Sequence, residues 1–276
     1  KSTPLIAQAV REAGLESLIV PWQEFELAVE QYPRRAVILS GGPDSVYAPD
    51  APSVDVAVIE KAREKGIKFL GICYAAQLFA QLYGGEVRQA STIEAGKTKL
   101  SMNKAFGQYR GGDVVMNHGD EVIRLPQGWQ NFGSTAQCSY AFFGTDDVVG
   151  VQFHPEMRGC EQILEHFLYQ MACCQKDYTF DPAEFTAKAC DFISNAVPEG
   201  KVLVAVSGGV DSAVAYTLMK MALGQERVIG ILVNNGFMIE GECEEIQESF
   251  GRFLLYVDAS KEFYDALEAL EYGDTP

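Results

Sequence analysis

The residues best suited to covalent chemistry in this sequence are Cys73, His154 and Glu156. Cys73 directly follows the apolar run Lys68–Ile72 and precedes a helical pattern, Tyr74–Tyr83, stopped by Gly84-Gly85. A nucleophile at such a turn projects from the carboxyl edge of a sheet, among the free N–H groups of a helix start whose dipole favours a thiolate. Taken alone, a cysteine after a buried strand is more commonly a small core residue. His154 changes the balance, because it ends a second apolar run, Val148–Phe153, with Glu156 two residues on. On an extended segment both side chains point the same way, so the carboxylate can orient the imidazole. Parallel strands bring their carboxyl ends to one rim, where open α/β sheets hold their sites. Thiol, imidazole and carboxylate gathered there would supply the nucleophile, base and orienter of covalent acyl transfer. His166 lies inside a helical run and reads as structural, whereas His118, in Asn117-His118-Gly119-Asp120, is placed on a turn and open to either role.

A second constellation is Ser207-Gly208-Gly209-Val210-Asp211-Ser212. Two glycines let the backbone wrap an anion closely, and the following helix start supplies N–H donors. The GxxxxGK[ST] pattern of a Walker A loop and its lysine are missing. Val233-Asn234-Asn235-Gly236 ends the next strand and reads equally well as a plain turn or as part of a nucleotide site.

The elements that must position these groups alternate. A helix over Leu5–Ala13 ends at Gly14, and a short strand is expected over Leu18–Pro21. Strand Arg35–Leu39 runs into the loop Ser40-Gly41-Gly42-Pro43-Asp44. Helix Val54–Lys65 and strand Lys68–Ile72 follow. Further strands are expected over Thr98–Met102, Val114–Met116, Asn131–Ser134 and Val148–Phe153, then a closing helix over Glu161–Cys173. Alternation of this kind predicts a mostly parallel sheet covered on both faces. After a polar linker, Cys174–Pro182, the pattern restarts with helix Pro182–Ala196 and strand Lys201–Val206. Helix Ala213–Leu223, strand Arg227–Val233, helix Glu240–Phe250, strand Phe253–Val257 and helix Lys261–Leu270 complete it. The expected domains are therefore 1–175 and 181–276, both α/β.

The 276 residues, 47% hydrophobic and 22% charged, can bury a real core, which excludes a disordered tail or a coiled coil. No apolar run reaches the ~18 residues of a membrane span, and the start lacks the features of a secretory signal. The net charge of -16 opposes a phosphate backbone, so no nucleic-acid partner is expected. The imbalance shifts from -5 over residues 1–180 to -11 over 181–276. Seven cysteines with no CxxC or Cys/His metal spacing fit a reducing, cytoplasmic setting.

Gly71-Ile72-Cys73-Tyr74-Ala75-Ala76-Gln77, Val151-Gln152-Phe153-His154-Pro155-Glu156, His118-Gly119-Asp120 and Ser40-Gly41-Gly42-Pro43 together resemble the class I glutamine amidotransferase family over residues 1–175. The resemblance implies a flavodoxin-like mixed or parallel sheet. It also implies that Cys73 attacks the glutamine side-chain amide, His154 moves the proton and Glu156 holds the histidine. The N–H groups of Gly42 and Tyr74 would form an oxyanion hole. Gln77 and Asp120 would bind glutamine, Asp120 through its α-amino group. Two departures stand out. Ala75 replaces the family's glycine, implying a shifted turn or slower hydrolysis, and the chain opens on a helix where the family has a strand. The stretch from Glu156 to Cys160 is also short.

The loop Ser207–Ser212 resembles the N-type ATP pyrophosphatases, whose sheet is Rossmann-like and here incomplete. That implies ATP held by Ser207, Gly208, Gly209, Val210, Asp211, Ser212 and Val233. Asp211 would bind Mg²⁺ brought with ATP, and no organic cofactor is called for. Asn234 stands where that family has aspartate, and the basic residue it carries near Ile239 is missing. The succession of the two domains resembles the glutamine-hydrolysing GMP synthetases. Their substrates are glutamine, ATP and XMP, and they continue with a basic segment and a dimerisation domain that completes the XMP site. A homodimer formed through that domain is implied, and the 276 residues alone are expected to lack synthetase activity. Two other readings stay open: a tRNA-modifying ATP pyrophosphatase, and a catalytically silent amidotransferase-like regulatory module.

Overall fold

The computed structural model describes residues 2–31, 35–157, 159–176 and 178–268, which divide into a unit ending at Thr179 and a second beginning at Phe180. In the first unit, helix α1 (Thr3–Glu12) starts on a proline in its first turn and stops at Gly14, whose φ of 89° only glycine adopts readily. It buries Ile6, Ala7 and Val10 along one stripe. Helix α2 (Phe25–Gln31) precedes strand β1 (Ala36–Leu39). Helix α3 (Val56–Glu64) is capped by Asp55, whose carboxylate accepts the Ala57 N–H at 2.8 Å. Strand β2 (Lys68–Ile72) and helix α4 (Tyr74–Leu82) meet at Cys73. A long hairpin follows, β3 (Glu86–Phe106) and β4 (Tyr109–Arg124), then β5 (Gln130–Ser134), β6 (Phe142–Gly144) and β7 (Val148–Val151). Helix α5 (Glu161–Glu165) continues as a π-helical stretch, His166–Met171.

These strands form one sheet in the order β1-β2-β7-β6-β5-β3-β4. Only β1, β2 and β7 are mutually parallel; from β7 outwards every pairing is antiparallel. The mostly parallel sheet expected from the alternation is thus parallel at the site and antiparallel beyond it. Strands β2 and β7 are almost wholly buried, as the apolar runs require, and Leu70, Ile72, Val149 and Val151 join one core with Phe142 and Phe153.

The close fit of α4 on β2 depends on Gly71. A Cβ there would lie 2.7 Å from the Ala75 carbonyl oxygen and 2.7 Å from Phe79 Cδ2. Because backbone cannot yield cheaply, Gly71→Ala is expected to destabilise the first unit by about 3 kcal/mol. Urea unfolding followed by tryptophan fluorescence reads this, since both tryptophans, Trp22 and Trp129, lie in this unit. A change under about 1 kcal/mol would contradict the packing argument.

The strand expected over Leu18–Pro21 belongs to no sheet. Among the described residues β1 pairs with β2 alone, and its other edge borders a cavity of about 940 Å³ lined by Ile6, Val10, Leu18, Val20, Val37 and Leu39. With that space between Leu18–Pro21 and β1, the segment has no ladder partner, and Leu18 and Ile19 are exposed.

In the second unit, α6 (Pro182–Ala196) is capped by Asp181, whose carboxylate accepts the Ala183 N–H at 2.8 Å. Strand β8 (Val202–Ala205), helix α7 (Val210–Leu223), strand β9 (Val228–Asn234), helix α8 (Glu242–Phe250), strand β10 (Leu254–Asp258) and helix α9 (Ser260–Glu268) follow. The sheet is parallel in the order β10-β9-β8, around a core of Val204, Val206, Tyr216, Val228 and Leu232. The last two residues of the expected helix Lys261–Leu270 lie outside the described residues.

Candidate active site and phosphate loop

Parallel strands β1, β2 and β7 deliver the Ser40–Gly42 loop, Cys73 and His154 to one rim. Cys73 has φ 54° and ψ -110°, a left-handed backbone that presses its side chain out of the strand at the start of α4. Its N–H donates to Val151 O at 2.8 Å, tying the turn to the neighbouring strand. Only 6% of the residue is exposed, so the sulfur is largely shielded from water. The thiol donates to the Asn117 carbonyl at 3.6 Å and receives the Gln152 Nε2 amide at 3.7 Å.

His154 completes the pair. Its backbone N–H donates to Val115 O at 3.0 Å, and its Nδ1 meets Glu156 Oε1 at 2.8 Å, leaving Nε2 for the sulfur. The Glu156 side chain is 1% exposed and is therefore a fixed partner rather than a solvated one. Hydrogen bonding to Cys73, then to Glu156, raises the His154 pKa to about 10 against the opposing effect of burial. At neutral pH the ring is a cation, able to offset a thiolate and to protonate a leaving amine. A Cβ on Gly41 would sit 3.2 Å from Cys73 Cβ and 3.7 Å from His154 Cε1, so this loop residue is where thiol and imidazole converge. Gly42 packs beneath the Tyr74 ring. Among the described residues neither the Gly42 nor the Tyr74 N–H donates to a backbone carbonyl.

Behind the thiol lies a buried polar layer. Gln77 donates from Nε2 to the Asp120 carbonyl at 2.8 Å and to Gln152 Oε1 at 3.1 Å. Tyr47 donates its hydroxyl to Asp120 Oδ1 at 2.8 Å. Gln77 thus braces the Asp120 backbone, and Tyr47 engages one oxygen of its carboxylate.

In the second unit, β8 leads through Ser207-Gly208-Gly209 into α7. Gly208 has φ 76°, and a Cβ there would strike Ile246 Cδ1 at 2.6 Å. Ser212 Oγ donates to Gly209 O at 2.9 Å and receives the Ser207 N–H at 3.2 Å, which curls the loop about the helix start. Asp211 is exposed in the first turn of α7. Among the described residues no three His, Cys, Asp or Glu side chains gather as a metal site. A single carboxylate suits Mg²⁺ that arrives on a nucleotide and keeps its waters, so the donor set fits that ion. Val233 is exposed at the end of β9. Asn234 Oδ1 accepts the Gly236 N–H at 2.9 Å and its Nδ2 donates to Tyr256 Oη at 3.1 Å, the bonds of a side-chain-stabilised turn.

Residues 2–171 match the class I glutamine amidotransferase family model. The chain belongs to this family. Residues 185–252 match the NAD synthase model, in keeping with a partial ATP pyrophosphatase domain. Curated proteins named GMP synthase (glutamine-hydrolysing) from Nitratiruptor and Symbiobacterium thermophilum are 36% and 38% identical over 97% and 96% of the chain. The chain spans about half the length of these curated relatives, 54% and 53%. A crystal structure from Thermoplasma acidophilum, of a protein provisionally named as one component of a GMP synthase, has a TM-score of 0.54 and 27% identity over 63% of this chain and 89% of its own.

Ala75 lies inside α4 at 1% exposure, next to a turn whose Cys73 N–H donates to Val151 O. His118 departs from expectation: it lies within β4 rather than on a turn, buried, with its ring nitrogens engaged by the Asp120 carbonyl and Glu94 instead of the thiol. His166 packs its ring edge-on against Phe106, in keeping with a structural role, and burial lowers its pKa. Sequence reasoning missed Gln152, Tyr47 and the Asn117 carbonyl. A glutamine inside the apolar run Val148–Phe153 was a usable signal; Tyr47 offered none.

The raised His154 pKa carries a stability consequence. The native ring holds a proton between about pH 6.5 and pH 10 that the unfolded ring has lost, so the stabilisation is complete below about 6.5 and disappears through about 10. Urea midpoints of the first unit should fall between pH 6.5 and 9.5, and His154→Gln should flatten that slope. Equal slopes in both proteins would contradict it.

Proposed function

We propose that this chain is the glutaminase and ATP-handling portion of a glutamine-hydrolysing GMP synthase. The observation that carries the reading is one chain holding both a Cys73–His154–Glu156 triad at a sheet rim and a Ser207–Ser212 phosphate loop. Cys73 sulfur adds to the carboxamide carbon of glutamine, and the oxyanion is held by the Gly42 and Tyr74 N–H groups. As the tetrahedral centre collapses the C–N bond breaks, and His154 protonates the departing ammonia. Water, deprotonated by His154, then hydrolyses the glutamyl thioester to glutamate and free thiol. Asp120 meets the substrate α-ammonium with its carboxylate.

In the second unit the loop N–H groups and the start of α7 hold the pyrophosphate portion of ATP. Mg²⁺ bound with ATP offsets phosphate charge, and Asp211 would hold it. The C2 oxygen of XMP attacks the α-phosphorus and releases pyrophosphate; ammonia then displaces AMP to give GMP. In this reading the XMP contacts and the pairing of protomers belong to the half of the relatives' length that the chain does not span. Seven cysteines, with no disulfide among the described residues, suit a reducing cytoplasm.

The test is to supply XMP, ATP, Mg²⁺ and glutamine to a protein carrying this chain together with that remaining half. AMP and GMP should form in equal amounts, and their absence would overturn the proposal. An RNA gel shift separates the tRNA-modifying alternative. Labelling of Cys73 by a glutamine-analogue electrophile separates the silent module, which should not react.

A further inference from the structure

We propose that His118, anchored by Glu94, is a positioning residue that fixes Asp120 and thereby sets affinity for glutamine. The inference rests on Asp120 receiving the substrate ammonium.

The hairpin register breaks where these residues lie. Gln89 faces Asp120 and Glu94 faces His118, so four residues on β3 oppose the single Gly119 on β4. A bulge of this size interrupts the ladder locally, and the chain there needs other support. Side chains provide it. His118 Nδ1 donates to the Asp120 carbonyl at 2.8 Å, the same oxygen that Gln77 Nε2 reaches at 2.8 Å. His118 Nε2 meets Glu94 Oε2 at 3.1 Å, and Glu94 Oε1 receives the Thr135 hydroxyl at 2.8 Å. The His118 and Glu94 side chains are 3% and 7% exposed, so water cannot substitute for these bonds. Because a carbonyl can only accept, Nδ1 carries a hydrogen, and Glu94 fixes the ring so that this hydrogen faces Asp120. Thr135 to Glu94 to His118 to the Asp120 carbonyl is a continuous buried brace. His118 adjoins Asn117, whose own carbonyl accepts from the thiol, while both ring nitrogens of the histidine are engaged by the Asp120 carbonyl and Glu94.

Asparagine carries its amide nitrogen where histidine has Nδ1, whereas leucine keeps bulk and loses the donor. Glutamine affinity is measured by calorimetry on the full chain in a Cys73→Ala background, which removes turnover. His118→Leu is expected to weaken binding roughly 30-fold, and His118→Asn to stay within about threefold. With Cys73 intact, His118→Leu should raise KM by the same factor and leave kcat within about threefold. Equal weakening by both substitutions would reduce His118 to packing and overturn the proposal, as would no weakening by either. A fall in kcat at constant KM would overturn it too. Should His118→Leu not fold, Thr135→Val is expected to weaken binding about threefold by loosening Glu94; an unchanged affinity overturns the brace. Asp120→Asn distinguishes the underlying reading. If it leaves affinity unchanged, the role of Asp120 fails and the proposal with it; if it weakens binding while His118→Leu does not, the proposal alone fails.

Discussion

Cys73→Ala should reduce glutamine hydrolysis to background, a fall of at least about 10⁴-fold, because the group that forms the thioester is gone. In a protein that also carries the remaining half of the relatives' length, ammonium chloride should restore GMP formation to within about twofold of the unsubstituted rate. The two proposed chemistries would draw on different residues: Gly42, Cys73, Tyr74, His154 and Glu156 lie in the first unit, and Ser207–Ser212 lies in the second. Glutamate release, followed enzymatically, reads the first activity, and AMP release reads the second. Loss of both activities together would deny that the sites are separable. Retention of glutamine hydrolysis would deny that Cys73 is the nucleophile.

Glu156→Gln is expected to slow glutamine hydrolysis by roughly 10³-fold while the protein stays folded. The substitution keeps shape and removes charge from a side chain that is 1% exposed and touches His154 Nδ1 at 2.8 Å. Two consequences combine. The imidazolium loses the buried anion that helps hold its pKa near 10, so less of it is available to protonate ammonia. The amide can also present N–H to Nδ1, turning the ring to the tautomer whose Nε2 hydrogen faces the sulfur and leaves no base. An NMR titration of the His154 ring should show its pKa lowered in step with the rate. A loss smaller than about tenfold would mean that Glu156 only fills space.

What could be read from the sequence was the part governed by apolar runs and punctuation. Lys68–Ile72 and Pro182–Ala196 are found with those boundaries, the first because a wholly buried strand is a continuous apolar run, the second because Asp181 caps it. The grouping of Cys73, His154 and Glu156 was legible because Cys73 and His154 each follow such a run and Glu156 lies two residues beyond the histidine. The β3–β4 hairpin was legible only over Thr98–Met102 and Val114–Met116, since most of β3 is exposed and lacks the alternation that marks a half-buried strand. That is also why His118 looked like a turn residue: His118-Gly119-Asp120 carries turn chemistry, and the bulge that absorbs it depends on the partner strand. Phe142–Gly144 is too short to signal, and Phe25–Gln31 lacks a capping residue or glycine stop. At Leu18–Pro21 the local pattern is strand-like, but a strand exists only by pairing, and across the cavity no ladder forms.

The backbone at Cys73 implies an unusual trade. Its dihedral angles suit glycine, and holding a side chain there costs on the order of 1–3 kcal/mol. A glycine variant would shed that burden along with all reactivity. Breeding this protein for heat tolerance, with no demand on its chemistry, would therefore discard its reactive sulfur early, and any hardened descendant should be sequenced at that codon before its inactivity is blamed on rigidity.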